Sequence, residues 1–150
     1  NPVHTWKNIN VKEQNKHKEF KTVNEIMETD LFTVSEDDSI DLVVNVMNWQ
    51  NIRHVPVESD DNELVGIIDS HAIIHFLADK KEAEAQAVKD IMLTNFPTIS
   101  STASAKQAVN LMADNRVDAL PVVDGSNRLL GIVTESDIIQ VLKITNKISD

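Results

Sequence analysis

Cysteine is absent from this chain of 150 residues. That excludes disulfide scaffolds and thiolate metal centres. Glycine is scarce, with three residues in all, and no glycine-rich phosphate loop is present. Aromatic residues make up only 4%. Basic charge is also short: 14 Lys and Arg stand against 24 Asp and Glu, for a net charge of −10. A surface of that sign argues against general nucleic-acid binding, so no nucleic-acid partner is expected. It does not exclude a small anionic ligand, because a pocket can oppose the sign of the whole surface. No apolar run approaches the roughly 20 residues of a membrane span, and no basic start leads into an apolar stretch as in a signal peptide. The expectation is a cytoplasmic protein with no membrane partner. The serines have no evident His–Asp partners, and no catalytic constellation emerges, so no enzyme is expected in these residues. Because the chain begins with Asn1, it reads as a piece of a longer polypeptide.

What the sequence does contain is an internal repeat. Offset by 65 residues, it aligns on itself without a gap from Val23 to Leu77. Val23-Asn24-Glu25-Ile26-Met27 falls on Val88-Lys89-Asp90-Ile91-Met92, and Val55-Pro56-Val57 falls on Leu120-Pro121-Val122. Leu64-Val65-Gly66-Ile67-Ile68 falls on Leu129-Leu130-Gly131-Ile132-Val133. Two copies are too few for a solenoid, and each needs a buried face, so the halves are expected to pack on each other.

Each copy reads in one order. Val23 to Met27 is a short helical turn, and Thr33-Val34 a brief extended piece. Ser39 caps a helix to about Asn51, since Ile40, Val43, Val44 and Met47 recur at helical spacing. His54 to Val57 is a strand, Asp60-Asp61-Asn62 a turn, and Leu64 to Ile68 a second strand. A helix follows from about Ser70 to Ala78. In the second copy Asp124-Gly125-Ser126-Asn127 is the turn. The fold class is therefore α/β (α+β), with short sheets and flanking helices. Residues 1–22 form a polar, lysine-rich extension in which Trp6 and Phe20 are candidate anchors. Residues 23–87 hold the first motif and a connecting helix over Asp79 to Val88. Residues 88–150 hold the second motif and a tail.

The openings "VNEIM" and "VKDIM", the strands "HVPV" and "LPVVD", and the joints "LVGIID" and "LLGIVTESDII" carry a resemblance. Over about Val23 to Leu142 the chain resembles a tandem pair of cystathionine-beta-synthase (CBS) domains, also called a Bateman module. The resemblance implies two halves related by a pseudo-twofold axis, with two clefts between them. It also implies a regulatory, allosteric module that binds an adenosine-containing ligand and controls a fused or partner enzyme or transporter. It implies a homodimer and no covalent cofactor. The alternatives are a ligand-free dimerisation scaffold and a module for S-adenosylmethionine.

Carried over residue by residue, the resemblance makes the two clefts unequal. Thr134 and Asp137 match the ribose positions, and an ionised carboxylate accepts from hydroxyls. Thr98 and Ile99, with Pro121 and Val122 behind, would frame the adenine. Arg53, His54 and His71 would meet the phosphates, for which a guanidinium fork is well suited. At the mirror positions stand Asp69 and Ala72, and Asp118, Ala119 and Ser136. One competent nucleotide cleft is therefore expected, with AMP, ADP or ATP favoured over S-adenosylmethionine, which has no phosphate for the cations.

Plainer readings stand beside these. Thr134-x-x-Asp137 before an apolar run is also a capping-box variant. Arg53-His54 reads equally as a solvated pair at a strand start. His71 and His75, four apart on a helix, have metal-ligand spacing but no obvious third ligand, so no metal is expected. The four methionines read as core, and Trp49 as core or a dimer contact.

Overall fold

The computed structural model describes residues 21–78 and 87–149. The expected anchors Trp6 and Phe20, and most of the expected connecting helix, lie outside the described residues. The elements run α1 (Val23–Ile26), β1 (Val34–Ser35), α2 (Ile40–Gln50), β2 (His54–Glu58), β3 (Leu64–Asp69) and α3 (Ser70–Ala78). A 3-10 turn (Val88–Asp90) then opens the second copy. It continues with β4 (Ile99–Ser100), α4 (Ala105–Asn115), β5 (Ala119–Val123), β6 (Leu129–Thr134) and α5 (Glu135–Ser149). The strands form two three-stranded sheets, β1-β2-β3 and β4-β5-β6. In the first, β1 lies parallel to β2, and β2 is antiparallel to β3 with Val55 opposite Ile68. The α/β reading and the repeat hold element by element.

The chain divides into two compact units that do not follow the order of the repeat. Unit I contains the described residues up to Thr29, Pro97–Val122 and the chain from Leu130 onward; unit II contains Asp30–Phe96 and Val123–Leu129. Each body thus takes its opening turn from the other repeat. In unit I the Val23 N–H donates to Ala103 O (2.8 Å), and the Glu28 N–H to Ile132 O (2.8 Å). In unit II the Val88 N–H donates to Asp38 O (2.8 Å), and the Leu93 N–H to Ile67 O (2.8 Å).

Burial explains why the turns seat there. Val23 lies in the unit I core with Ala108, Leu120, Val122 and Val133, all fully buried. Val88 lies in the unit II core with Val43, Val55, Val57 and Ile68, also fully buried. Withdrawing a valine of this kind from water is worth roughly 1.5–3 kcal/mol. Of the methionines, Met112 is buried, while Met27, Met47 and Met92 are partly buried and packed against the cores. Trp49 is 73% exposed and belongs to neither core.

Local chemistry sets the element ends. The Ser39 hydroxyl caps α2 by accepting from the Leu42 N–H (3.2 Å). Ser104 and Gln107 close a reciprocal capping box on α4, at 3.0 and 2.8 Å. Both helices stop at a left-handed residue, Asn51 (φ 52°) and Arg116 (φ 54°). Asparagine tolerates that conformation, but arginine gains nothing from it. Arg116→Gly is therefore expected to stabilise the protein by up to about 1 kcal/mol, with Asn51→Gly changing less. Urea midpoints of the two variants check this.

The hairpin turns place Asn62 (φ 66°) and Asn127 (φ 62°) in the same left-handed region. Asp124 holds the second turn: its Oδ1 accepts from the N–H groups of Ser126 (2.8 Å) and Arg128 (3.0 Å). Those bonds, Arg128's first, hold its carboxyl below the ordinary aspartate value.

Candidate functional site

In unit I, β6 ends where Thr134 hands over to α5. Ile132 and Val133 are buried, while Thr134 and Asp137 are half-buried. The first amides of a helix have no partner within it. Here Asp137 reaches back: its Oδ2 accepts from the Thr134 N–H (2.8 Å) and from Thr134 Oγ1 (3.1 Å). The Glu135 N–H donates to Asp118 O (2.9 Å). The capping reading of Thr134-x-x-Asp137 is therefore present in the structure. It does not consume the carboxylate. Both bonds fall on Oδ2, and no described residue is bonded to Oδ1, whereas an ionised carboxylate has about four acceptor positions.

The expected adenine residues belong to the same unit and sheet. Thr98 is exposed just before β4, and Ile99 is buried. Pro121 and Val122 lie inside β5 with fully buried side chains. They are core, and Thr98 is the exposed member of the set.

The expected phosphate residues belong to unit II, where the structure gathers them at one corner. Arg53 is exposed immediately before β2, and its carbonyl accepts from the Ser70 N–H (3.0 Å). His54, half-buried, stands opposite Asp69 in the β2–β3 ladder. His71 is exposed in the first turn of α3. Arg53, His54 and His71 are thus carried by the start of β2 and the first turn of α3, where the Ser70 and Ala72 N–H groups are already bonded to Arg53 O and Asp69 Oδ1. His75 lies one turn further along α3 and is exposed. Among the described residues no group of three or more His, Asp or Glu side chains is placed to hold a metal ion.

The sequence alone did not reveal the work of Asp69. Its Oδ1 accepts from the Ala72 N–H (2.8 Å), which makes it the cap of α3. The two joints are closed by opposite ends of the same four-residue span: the first residue in unit II, the fourth in unit I. The signal was available in the preference of aspartate for the position just before a helix.

Comparison with known proteins agrees with this architecture. The CBS domain profile matches residues 23–79 and again 88–144. A CBS domain-containing protein of Dictyostelium discoideum is 32% identical over 130 residues, spanning 80% of this chain and 90% of that protein. An inosine-5′-monophosphate dehydrogenase of Methanocaldococcus jannaschii is 35% identical over 135 residues, spanning 89% of this chain. The chain covers only 26% of that dehydrogenase, and 24% of a similar homoserine O-acetyltransferase from Methanohalobium evestigatum. Among solved structures, a CBS domain pair in complex with 5′-methylthioadenosine and S-adenosyl-L-methionine superposes with a TM-score of 0.75 at 28% identity, covering 82% of this chain and 96% of that one. CBSX2 in complex with AMP shares the fold at 22% identity, with a TM-score of 0.75 and coverage of 83% and 98%. The chain belongs to the CBS domain family. As a tandem pair it is a regulatory module rather than a catalytic one. No helix among the described residues is long and apolar enough to cross a membrane.

Proposed function

We propose that the module senses an adenine nucleotide of the AMP, ADP or ATP class and controls a fused or partner enzyme in the cytoplasm, acting as a homodimer. The observation that carries the reading is the Thr134–Asp137 joint, where Thr134 bonds to one carboxylate oxygen and no described residue bonds to the other, which would accept from a ligand hydroxyl. Thr98 and Ile99, backed by the core residues Pro121 and Val122, would then frame the base, and Arg53, His54 and His71 would take the phosphates. Known CBS proteins support the ligand class: one pair was solved with two adenosine compounds and another with AMP. Control of an enzyme is supported by the dehydrogenase and acetyltransferase relatives, much longer proteins in which the matching segment is about a quarter of the length. The mechanism is a population shift, limited by the difference in ligand affinity between the two states.

S-adenosylmethionine is the second reading, favoured by the 28% identical pair solved with it. Titration calorimetry with AMP, ATP and S-adenosylmethionine on wild type and Arg53→Ala separates the two. Loss of a charge-assisted phosphate contact, worth about 1.5–3 kcal/mol, lowers AMP and ATP affinity at least tenfold and leaves S-adenosylmethionine unchanged. Unaltered AMP binding in the variant overturns the phosphate assignment. Binding of no adenosine compound by wild type favours the dimerisation scaffold.

A further inference from the structure

We infer that residues 21–28 form a strap that reports occupancy of the Thr134–Asp137 joint to the chain running into Lys21. The inference rests on the nucleotide reading above, and its own content is the output route. The strap is tied at both ends to elements that would hold the nucleoside. At its start, Lys21 O accepts from the Ala105 N–H (3.0 Å), and the Val23 and Asn24 N–H groups donate to Ala103 O (2.8 Å) and Ser101 O (3.0 Å). These partners are the loop that leaves β4, the strand of Ile99, and the start of α4. At its other end, Glu28 and Ile132 exchange two backbone hydrogen bonds, 2.8 and 3.0 Å. Ile132 lies two residues before Thr134 on β6.

The strap is also seated closely. A Cβ on Gly131 would stand 2.8 Å from both Glu28 O and Met27 Sδ. Interfaces packed this tightly pass on small shifts rather than absorbing them. A ligand that draws the β4 loop and the end of β6 onto itself therefore restrains the strap at both attachments. By linkage, a looser strap weakens ligand binding by the same factor.

Unit II carries the same device at a joint without a ribose pair, so its response should be the smaller of the two. Residues 88–93 form the equivalent strap, with Val88 and Lys89 donating to Asp38 O (2.8 Å) and Glu36 O (3.0 Å), and Leu93 paired with Ile67. Its joint is the Asp69–Ala72 cap, which has no ribose pair.

Hydrogen–deuterium exchange of the full chain with saturating AMP tests the inference. The Val23, Asn24 and Glu28 amides should exchange about fivefold more slowly or better, the low end of ordinary coupling energies, with those of Val88, Lys89 and Leu93 slowed less. Calorimetry should show weaker AMP binding for Gly131→Ala and a smaller loss for Gly66→Ala. If AMP binds but residues 21–28 exchange at their free rate, or both straps slow equally, the strap assignment is overturned while the nucleotide reading stands. If AMP, ATP and S-adenosylmethionine all fail to bind, the nucleotide reading falls and the strap with it.

Discussion

The double variant Thr134→Asp, Asp137→Ala should melt close to wild type and bind AMP at least tenfold more weakly. It rewrites the unit I joint in the letters of unit II, where Asp69 caps α3 through the Ala72 N–H and no carboxylate stands at the fourth position. Asp137→Ala alone removes the acceptor for the Thr134 N–H and hydroxyl. Losing a cap of this sort costs about 1 kcal/mol, so that variant should lose stability and affinity together. Moving the carboxylate to residue 134 restores a cap but not the hydroxyl and carboxylate pair that would receive a ribose. Thermal unfolding and calorimetry on the same samples separate the two roles. A double variant that binds AMP as wild type does would show that Asp137 is a cap and nothing more.

Gly131→Ala should destabilise the protein by about 1–3 kcal/mol, the usual range for overpacking, and by more than Gly66→Ala does. At both glycines the strand runs against the opening turn of the other repeat, but the obstacles differ. At Gly131 a new Cβ meets the Glu28 carbonyl at 2.8 Å, a backbone atom that is itself hydrogen-bonded. At Gly66 the nearest atom is Met92 Sδ at 2.5 Å, and the nearest backbone atom, Leu93 O, stands at 3.1 Å. A methionine side chain can turn aside, whereas a paired carbonyl cannot do so without breaking its ladder. Denaturant midpoints would show the order, and equal losses in the two variants would count against this account.

The local layout was legible in the sequence because it depends on neighbours along the chain. The 65-residue offset, the Ser39 cap and the turns at Asn62 and Asn127 are settled by periodicity and by residues that tolerate unusual backbone angles. Val23 and Val88 were legible as apolar, but the partners that bury them were not. Periodicity shows that a face is covered, not which repeat covers it. The same limit applies to Asp69. Beside Thr134 it reads as a lost ligand residue, because side-chain type alone does not say which helix amide a residue satisfies. Pro121 and Val122 matched a binding motif, yet their side chains are core, since interior strand residues of a small sheet are needed for packing first.

The reciprocal lending of opening turns has a consequence for dissection of the chain. A fragment carrying only residues 23–79 would keep the turn that belongs on the second body and lack the one that completes its own. It would present an empty valine socket beside an unplaced valine plug. Two such fragments could satisfy one another by trading plugs, so the smallest self-sufficient form of this architecture is a mated couple of repeats, whether fused end to end or supplied as separate halves.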